Sequence, residues 1–148
     1  MPDLLYFEDF HAGEAVEYGG VEVSTDEIIA FAREFDPQPF HTDQEAARAV
    51  TGGLIASGWH TCALLLRMNC DEFLMRAAIV DEAGIQEVQW RRPIRPGDRL
   101  HVRRHTLAKR PAESRTGEGE VELLYEVVNQ DGEIAMTQSS LLRLKHRP

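Results

Sequence analysis

The sequence predicts an α+β fold in which an antiparallel sheet curls around one long buried helix. Residues 1–80 are rich in helix signals, whereas residues 85–145 read as strands separated by turns. The stretch from Ile55 to Leu66 is apolar around most of a helical circumference, which is typical of a helix buried on nearly all sides. A sheet wrapped around that helix is the simplest packing that buries it.

The first predicted elements are a strand near residues 15–23 and a helix over about residues 25–35. Ser24 and Glu27 have the spacing of a capping box, and the apolar residues after them recur at helical intervals. The segment Pro37-Gln38-Pro39 forbids continuation of this helix, because proline lacks an N–H and restrains the residue before it to extended geometry. The chain is therefore expected to turn there.

Two more helices are predicted before the strands. Thr42 and Glu45 form a second capping-box pattern that starts a short helix over residues 43–50, and Thr51-Gly52-Gly53 ends it. The long helix is expected to begin at Ser57-Gly58, the small residues that precede an uninterrupted run of helix formers.

The second half of the chain predicts at least four antiparallel strands. They cover residues 85–94, 99–107, 121–129 and 133–144. The first pair flanks the turn at 95–98, and the second pair flanks Gln130-Asp131-Gly132, where Asp-Gly is a strong hairpin signal. The polar stretch over residues 111–120 predicts a loop or a frayed strand end.

Length and charge limit the classes of function. We expect residues 1–148 to form one domain with a single core. The 16 basic and 25 acidic residues give a net charge of −9, which argues against nucleic-acid binding, because that binding requires basic surface. No apolar run reaches the roughly 18 residues of a membrane helix, and the first residues include acids where a signal peptide is basic, so we expect a cytoplasmic protein.

The two cysteines are expected to be free, buried thiols. Cys62 and Cys70 lie eight residues apart in the predicted long helix. That spacing corresponds to about 12 Å at 1.5 Å per residue, which is beyond disulfide reach.

An acid and an imidazole lie five residues apart on a segment stiffened by two prolines. Asp36 and His41 would be held there at a fixed separation. A carboxylate and an imidazole that share one water can remove a proton from it and supply another, so the pair suits general acid–base catalysis. The alternative is that Asp36 caps a turn and His41 is a hydrogen-bonded loop residue, since Asp and Pro are ordinary turn residues.

The start of the long helix is the second candidate for function. Backbone N–H groups at a helix start are unpaired and carry partial positive charge, so the Gly58 amide can bind an oxygen on which negative charge develops. The alternative is a plain helix cap. His60, inside the helix, is interpreted as a structural histidine.

Metal, nucleophile and nucleotide motifs are absent from the sequence. His41 with Asp43, and His60 with Cys62, have a two-residue spacing that suits strands better than helices or loops, and neither HExxH nor CxxC occurs. The sequence also contains no GxSxG, GxGxxG or Walker motif. We therefore expect neither a metal nor another cofactor.

Three segments resemble the MaoC-like, or (R)-specific enoyl-CoA hydratase, family. FAREFDPQPFHTDQEAA is similar to the family signature Gly-Asp-x-Asn-Pro-x-His followed by x-Asp. The matching residues are Asp36, Pro39, His41 and Asp43. GGLIASGWHT resembles the family's Ile-x-His-Gly-Met segment, with Gly58 at the glycine, and RRPIRPGDRL resembles its strand–turn–strand. The similarity spans residues 5–145 in the family's order.

The resemblance implies a hot-dog fold, a homodimer or higher homo-oligomer, and an active site at the subunit interface. By this resemblance Asp36 and His41 hold a water that adds across the double bond of a trans-2-enoyl-CoA, and the Gly58 amide holds the thioester oxygen. A non-catalytic acyl-CoA-binding protein and a thioesterase are alternatives with the same fold. The intact acid–base pair favours the lyase, and residues 58–70 lack the helix carboxylate that hot-dog thioesterases commonly use.

Four residues depart from the family pattern. Phe35 replaces the signature glycine, Gln38 replaces asparagine, and Ser57 and Trp59 replace the histidine and methionine around the helix-start glycine. If the aromatic side chains of Phe35, Phe40 and Trp59 line the acyl pocket, they narrow it, so we predict a preference for short or compact acyl groups.

Seven basic residues could contact the phosphates of CoA. They are Arg91, Arg92, Arg95, Arg103, Arg104, Lys109 and Arg110. The alternative is a solvated strand face. Arg104 also continues the alternation of Leu100 and Val102 along one strand.

Overall fold

The structure, a computed structural model, describes residues 3–112 and 116–148. Within these residues it contains five strands: β1 (Ala15–Glu22), β2 (Ile79–Trp90), β3 (Arg99–Pro111), β4 (Glu118–Val128) and β5 (Ile134–Lys145). They form one antiparallel sheet in the order β1-β3-β4-β5-β2. The helices are α1 (Thr25–Phe35), α2 (Pro39–Thr42), α3 (Gln44–Thr51) and α4 (Gly58–Glu72), with short 3-10 helices at Phe7–Asp9 and Leu74–Arg76.

The sheet curls around α4, which is the hot-dog fold that the resemblance implies. The predicted strands are present, but the one predicted over residues 85–94 begins at Ile79 and ends at Trp90, so residues 91–94 lie outside it. Both predicted turns are present, and Gly97 and Gly132 adopt the positive φ that such turns favour. The stretch predicted as a loop or a frayed strand end falls at the β3–β4 connection, and its residues 113–115 lie outside the described residues.

The core lies between the inner face of the sheet and one side of α4. Alternate residues of β4 are buried, as the period of two in a strand requires. They pack with Leu65 and Met68 of the helix in one apolar cluster. A bulge at Gly19 lets β1 approach this helix closely, because a Cβ there would lie 2.7 Å from the sulfur of Met68.

The prediction that the long helix is buried on nearly all sides is wrong. Trp59 is 62% exposed and Leu66 is 52% exposed. One curled sheet covers one side of a helix, so the opposite side of α4 stays open in a single subunit. Cys62 and Cys70, predicted to be buried, are free and only half-buried.

The helix starts are explained by their caps. Ser24 Oγ accepts the Glu27 amide at 3.1 Å, as predicted for α1. The prediction that Thr42 caps α3 is wrong. The cap is Asp43, whose Oδ1 accepts hydrogen bonds from the amides of residues 45 and 46 at 2.9 and 3.2 Å. Thr42 is instead the last residue of α2, a helical turn that begins at Pro39.

Among the described residues, none of the helices combines the length and the apolar character needed to cross a bilayer.

Candidate active site

Asp36 and His41 are brought together by a break between two helices. The Asp36 amide donates the closing bond of α1 to Ala32 O at 2.8 Å, and Pro37 prevents another helical turn. Pro39 then starts α2, which carries His41. The segment predicted as a stiff loop is therefore partly helical. The result is a separation of 3.4 Å between Asp36 Oδ2 and His41 Nε2.

The His41 ring is held in one orientation by the backbone. Its side chain is buried, and Nδ1 lies 2.7 Å from Ile55 O. A carbonyl oxygen only accepts, so Nδ1 carries a proton and donates it to this bond. Nε2 is consequently the nitrogen that faces Asp36 and can exchange a proton.

Two neighbouring side chains donate hydrogen bonds to the Asp36 carboxylate. Ser57 Oγ donates to Oδ2 at 2.7 Å, and Gln38 Nε2 donates to Oδ1 at 2.6 Å. These bonds, that of Ser57 foremost, hold the pKa of Asp36 below its ordinary value; partial burial opposes them and the nearby His41 adds to them. Asp36 is therefore ionised at neutral pH.

Gly58 is the first residue of α4, so its amide has no acceptor within the helix. The indole of Trp90 lies against it: Trp90 Nε1 donates to Gly58 O at 2.9 Å. A Cβ on Gly58 would lie 2.5 Å from the Trp90 ring, so this contact requires glycine. Trp90 therefore packs against the backbone at the helix start.

A cleft of about 400 Å³ brings the three candidate residues together. Its lining residues are Asp36, Gln38, His41, Ile55, Ala56, Gly58, Trp59, Thr61, Trp90, Arg91, Arg92, Pro93 and Ile94. Trp59 and Trp90 contact each other edge to face with ring centroids 5.3 Å apart. Phe35 and Phe40 are not among the lining residues, so the aromatic wall consists of Trp59 and Trp90, the second of which sequence reasoning missed.

Two of the seven basic residues considered for phosphate binding, Arg91 and Arg92, line the cleft. Arg92 also pairs with Glu133 at 2.8 Å. The other five contact protein groups outside the cleft. Arg95 donates a hydrogen bond to Thr51 O, and two arginines form ion pairs, Arg103 with Glu17 and Glu126 and Arg110 with Glu120 and Glu122. The remaining two lie over aromatic rings, Lys109 over Phe7 and the buried Arg104 over Phe10, Tyr18 and Phe73.

His60 lies outside the cleft lining. It is buried and stacks on Phe31 with ring centroids 4.7 Å apart. Burial lowers its pKa, and Nδ1 has no hydrogen-bond partner in the part of the chain that the structure describes. These contacts are those of a histidine packed between α1 and α4.

Comparison with known proteins identifies the family to which the chain belongs. A family model described as MaoC like domain matches residues 9–129. Uncharacterized protein YdeM of Bacillus subtilis (strain 168) is 31% identical over 114 residues, which are 76% of this chain and 81% of that protein.

Two solved structures extend the comparison. The MaoC-like dehydratase from Rhodospirillum rubrum is 39% identical with a TM-score of 0.89, covering 97% of this chain and 99% of that one. The (R)-hydratase PhaJ1 from Pseudomonas aeruginosa shares the fold at 20% identity, with a TM-score of 0.78 and coverage of 97% and 88%. Since the family model matches most of its length and these proteins align over most of theirs, the chain belongs to the MaoC-like domain family.

Proposed function

We propose that this protein is a hydro-lyase that adds water to a trans-2-enoyl-CoA thioester to give the 3-hydroxyacyl thioester, or catalyses the reverse dehydration. The observation that carries the proposal is the pair of Asp36 Oδ2 and His41 Nε2, 3.4 Å apart in a cleft that also holds the start of α4. The similarity to the MaoC-like dehydratase from Rhodospirillum rubrum and the (R)-hydratase from Pseudomonas aeruginosa supports this class of reaction.

The pair can hold and activate one water. An ionised Asp36 accepts one hydrogen bond from the water, and His41 Nε2 accepts the other. The water then gives one proton to the pair as its oxygen forms a bond to the β carbon of the enoyl group. A proton passes from the pair to the α carbon as the C=C double bond becomes a single bond, so the pair returns to its starting protonation state. The two groups are coupled through the shared water, so both take part in moving the two protons.

Electron density moves to the thioester oxygen when water attacks the β carbon. In this proposal the Gly58 amide, at the positive end of the 15-residue helix α4, donates a hydrogen bond to that oxygen and stabilises it. The carbonyl of the same residue accepts from Trp90 Nε1, which holds this peptide against the cleft wall.

The two alternatives are less consistent with the site. A thioesterase of this fold commonly uses a carboxylate from the central helix, and the α4 residues that line the cleft are Gly58, Trp59 and Thr61. A protein that only binds acyl-CoA has no use for a carboxylate held ionised beside a proton-exchanging imidazole. The retained pair therefore favours catalysis.

We also infer that the working unit contains a second copy of this chain. Trp59, Ala63 and Leu66 share one exposed side of α4 at helical spacing, and Ile85 and Trp90 expose apolar surface on the edge strand β2. Leu66 and Ile85 line one common cavity of about 240 Å³. A symmetric copy would cover this surface and bring a second wall to the cleft.

The direct test is a hydration assay with crotonyl-CoA and with longer and branched enoyl-CoA thioesters. Loss of the enoyl absorbance, with the 3-hydroxyacyl product identified by mass, is the expected result. A thiol reagent in parallel reactions detects free CoA, so hydrolysis is distinguished from hydration. Asp36→Asn protein purified in the same way controls for host hydratase. CoA release without hydration, or tight binding of all thioesters without turnover, would reject the lyase.

A further inference from the structure

Ser57 makes a hydrogen bond that a helix cap does not need. Capping requires only an acceptor for the first amides of the helix, and Asp43 caps α3 with a carboxylate that cannot donate. At α4, Ser57 Oγ accepts the Trp59 amide at 3.3 Å and also donates its own proton to Asp36 Oδ2 at the shorter distance of 2.7 Å. The donated bond joins the helix start to the candidate acid–base pair.

The surroundings of Ser57 explain why the residue at this position is neither acidic nor apolar. Ser57 has no exposed surface. An acidic cap such as Asp43 would place a second carboxylate against Asp36, and two like charges in contact repel. An apolar residue would leave Asp36 Oδ2 without this donor. A hydroxyl accepts from one side and donates to the other, which satisfies both groups.

We propose that Ser57 is a positioning residue that fixes the Asp36 carboxylate relative to the Gly58 amide, so that water and thioester oxygen are held at one separation. Ser57 and Gly58 are consecutive, so a bond from the first to Asp36 ties the water-holding group to the proposed oxyanion donor. The bridge spans 21 residues of sequence between Asp36 and Ser57. Catalysis is sensitive to such distances, because a misplacement of about 1 Å costs about 100-fold in rate.

The same bond contributes to the ionisation of Asp36. It is the foremost cause that holds the pKa of this carboxyl low, ahead of the bond from Gln38. Removing the hydroxyl therefore raises the pKa of Asp36 toward its ordinary value. The family pattern has histidine where this chain has Ser57, so the bridge through a serine hydroxyl is a feature of this chain's own residues.

This inference rests on the proposed function for its kinetic consequence, and on geometry alone for its effect on Asp36. The test uses Ser57→Ala, Ser57→Gly and Ser57→Thr in the full chain. Glycine is well tolerated at helix caps, so it keeps the test interpretable where alanine fails to fold; threonine restores the hydroxyl. Ser24→Ala, which removes the cap of α1 and does not line the cleft, is the matched control.

The first measurement is the titration of the Asp36 side-chain carboxyl carbon by NMR, which needs no substrate. Ser57→Ala and Ser57→Gly should move the midpoint to higher pH, whereas Ser57→Thr and Ser24→Ala should leave it near the wild-type value. An unchanged midpoint in both hydroxyl-deleted variants would overturn the inference, whether or not the wild type hydrates enoyl thioesters.

The second measurement is kcat and KM on an enoyl-CoA that the wild type accepts. Ser57→Ala should lower kcat by about 10-fold to 100-fold with little change in KM, and the acid limb of the pH profile should move to higher pH. Ser57→Thr should recover most of the activity. A shifted midpoint with full kcat would overturn the positioning role. A wild type without turnover but with the midpoint shift would reject only the proposed function.

Discussion

Mutation can separate the contributions of Asp36 and His41, which we propose act on one water. We predict that Asp36→Asn and His41→Ala each leave the protein folded and lower kcat by about 100-fold or more, since each removes one partner of an acid–base pair. Steady-state hydration kinetics and circular dichroism measure the two effects. Near-wild-type turnover in either variant would remove that residue from the mechanism.

Asp43→Asn is a matched control for Asp36→Asn. It makes the same exchange of carboxylate for amide two residues after His41, and an asparagine oxygen still caps α3. We expect this control to keep its kcat within about twofold. A loss as large as that of Asp36→Asn would mean that charge near α2 matters more than the identity of the acid.

His60 makes stability depend on pH. Burial depresses its pKa in the folded state below the ordinary value of 6.5. The stability that the neutral imidazole contributes is present above that value and is lost as pH falls toward the depressed folded pKa, because the unfolded chain takes up the proton more readily.

We predict that His60→Phe, which keeps an aromatic ring against Phe31, reduces this dependence. Urea unfolding at about pH 7.5 and about pH 5.5 should show the wild type losing more free energy of unfolding than the variant. Equal losses in the two proteins would show that other groups control the acid sensitivity. Tyr18→Phe, at a tyrosine of strand β1, is a control that should keep the wild-type pH dependence.

Among the elements, α3 shows where sequence patterns mislead. The Thr42–Glu45 spacing fits a capping box, but Pro39 starts a helical turn that incorporates Thr42 and leaves Asp43 at the cap. The cap of α1 was predicted correctly, because an extended strand precedes Ser24 and offers no competing helical turn. A local pattern therefore identifies a cap reliably only where its neighbours are also assigned correctly.

The two assignments for α3 predict different stabilities. Asp43→Ala should cost about 1 kcal/mol in free energy of unfolding, because two amides lose their acceptor, while Thr42→Ala should change it by less than about 0.5 kcal/mol. Denaturant titration of both variants decides between them. A larger loss in Thr42→Ala would restore the capping-box assignment.

The cleft wall formed by Trp59 and the end of β2 is expected to limit acyl length. Each methylene in an open apolar pocket gains up to about 0.8 kcal/mol, whereas forcing it against a fixed aromatic wall costs about 1 to 3 kcal/mol. We predict that Trp59→Met shifts kcat/KM toward longer chains while Asp36 and His41 keep working.

Measuring kcat/KM with C4, C6, C8 and C12 enoyl-CoA thioesters gives the chain-length profile of both proteins. A wild-type profile that rises steadily to the longest chain would contradict the wall. If Trp59 instead packs in a subunit interface, Trp59→Met should lower stability and leave the profile unchanged. Met75→Leu, at an exposed methionine that is not among the cleft residues, controls for nonspecific effects of the assay.

On the scale of the whole molecule, the sequence predicted that α4 is apolar but not what covers it. A helix that is apolar all round looks the same in sequence whether its own sheet or another subunit buries it. The five strands cover one side, and Trp59 and Leu66 lie on the other. The contact between Trp90 and Gly58 could not be predicted either, because the two residues are 32 apart in sequence and no local pattern links them.

We predict a homodimer through this exposed side. Leu66→Glu and Ile85→Glu should each weaken association by about 100-fold or more, since a buried unpaired carboxylate costs several kcal/mol. Sedimentation across a concentration series measures the change, and Leu107→Glu, at a half-exposed leucine of β3, is the control. A wild type that is monomeric at micromolar concentration would contradict the prediction.

The cleft is built from two parts of the chain. The proposed acid–base pair comes from the end of α1 and from α2, whereas Trp90 to Ile94 reach the cleft from the end of β2 and the segment after it. Substitutions at residues 91–93 would reshape the cleft while keeping Trp90, which packs on Gly58, and Ile94, whose carbonyl accepts the Ala56 amide at 2.8 Å. If the proposed function is correct, we therefore expect directed evolution of new acyl specificity to succeed at residues 91–93 with Asp36 and His41 unchanged.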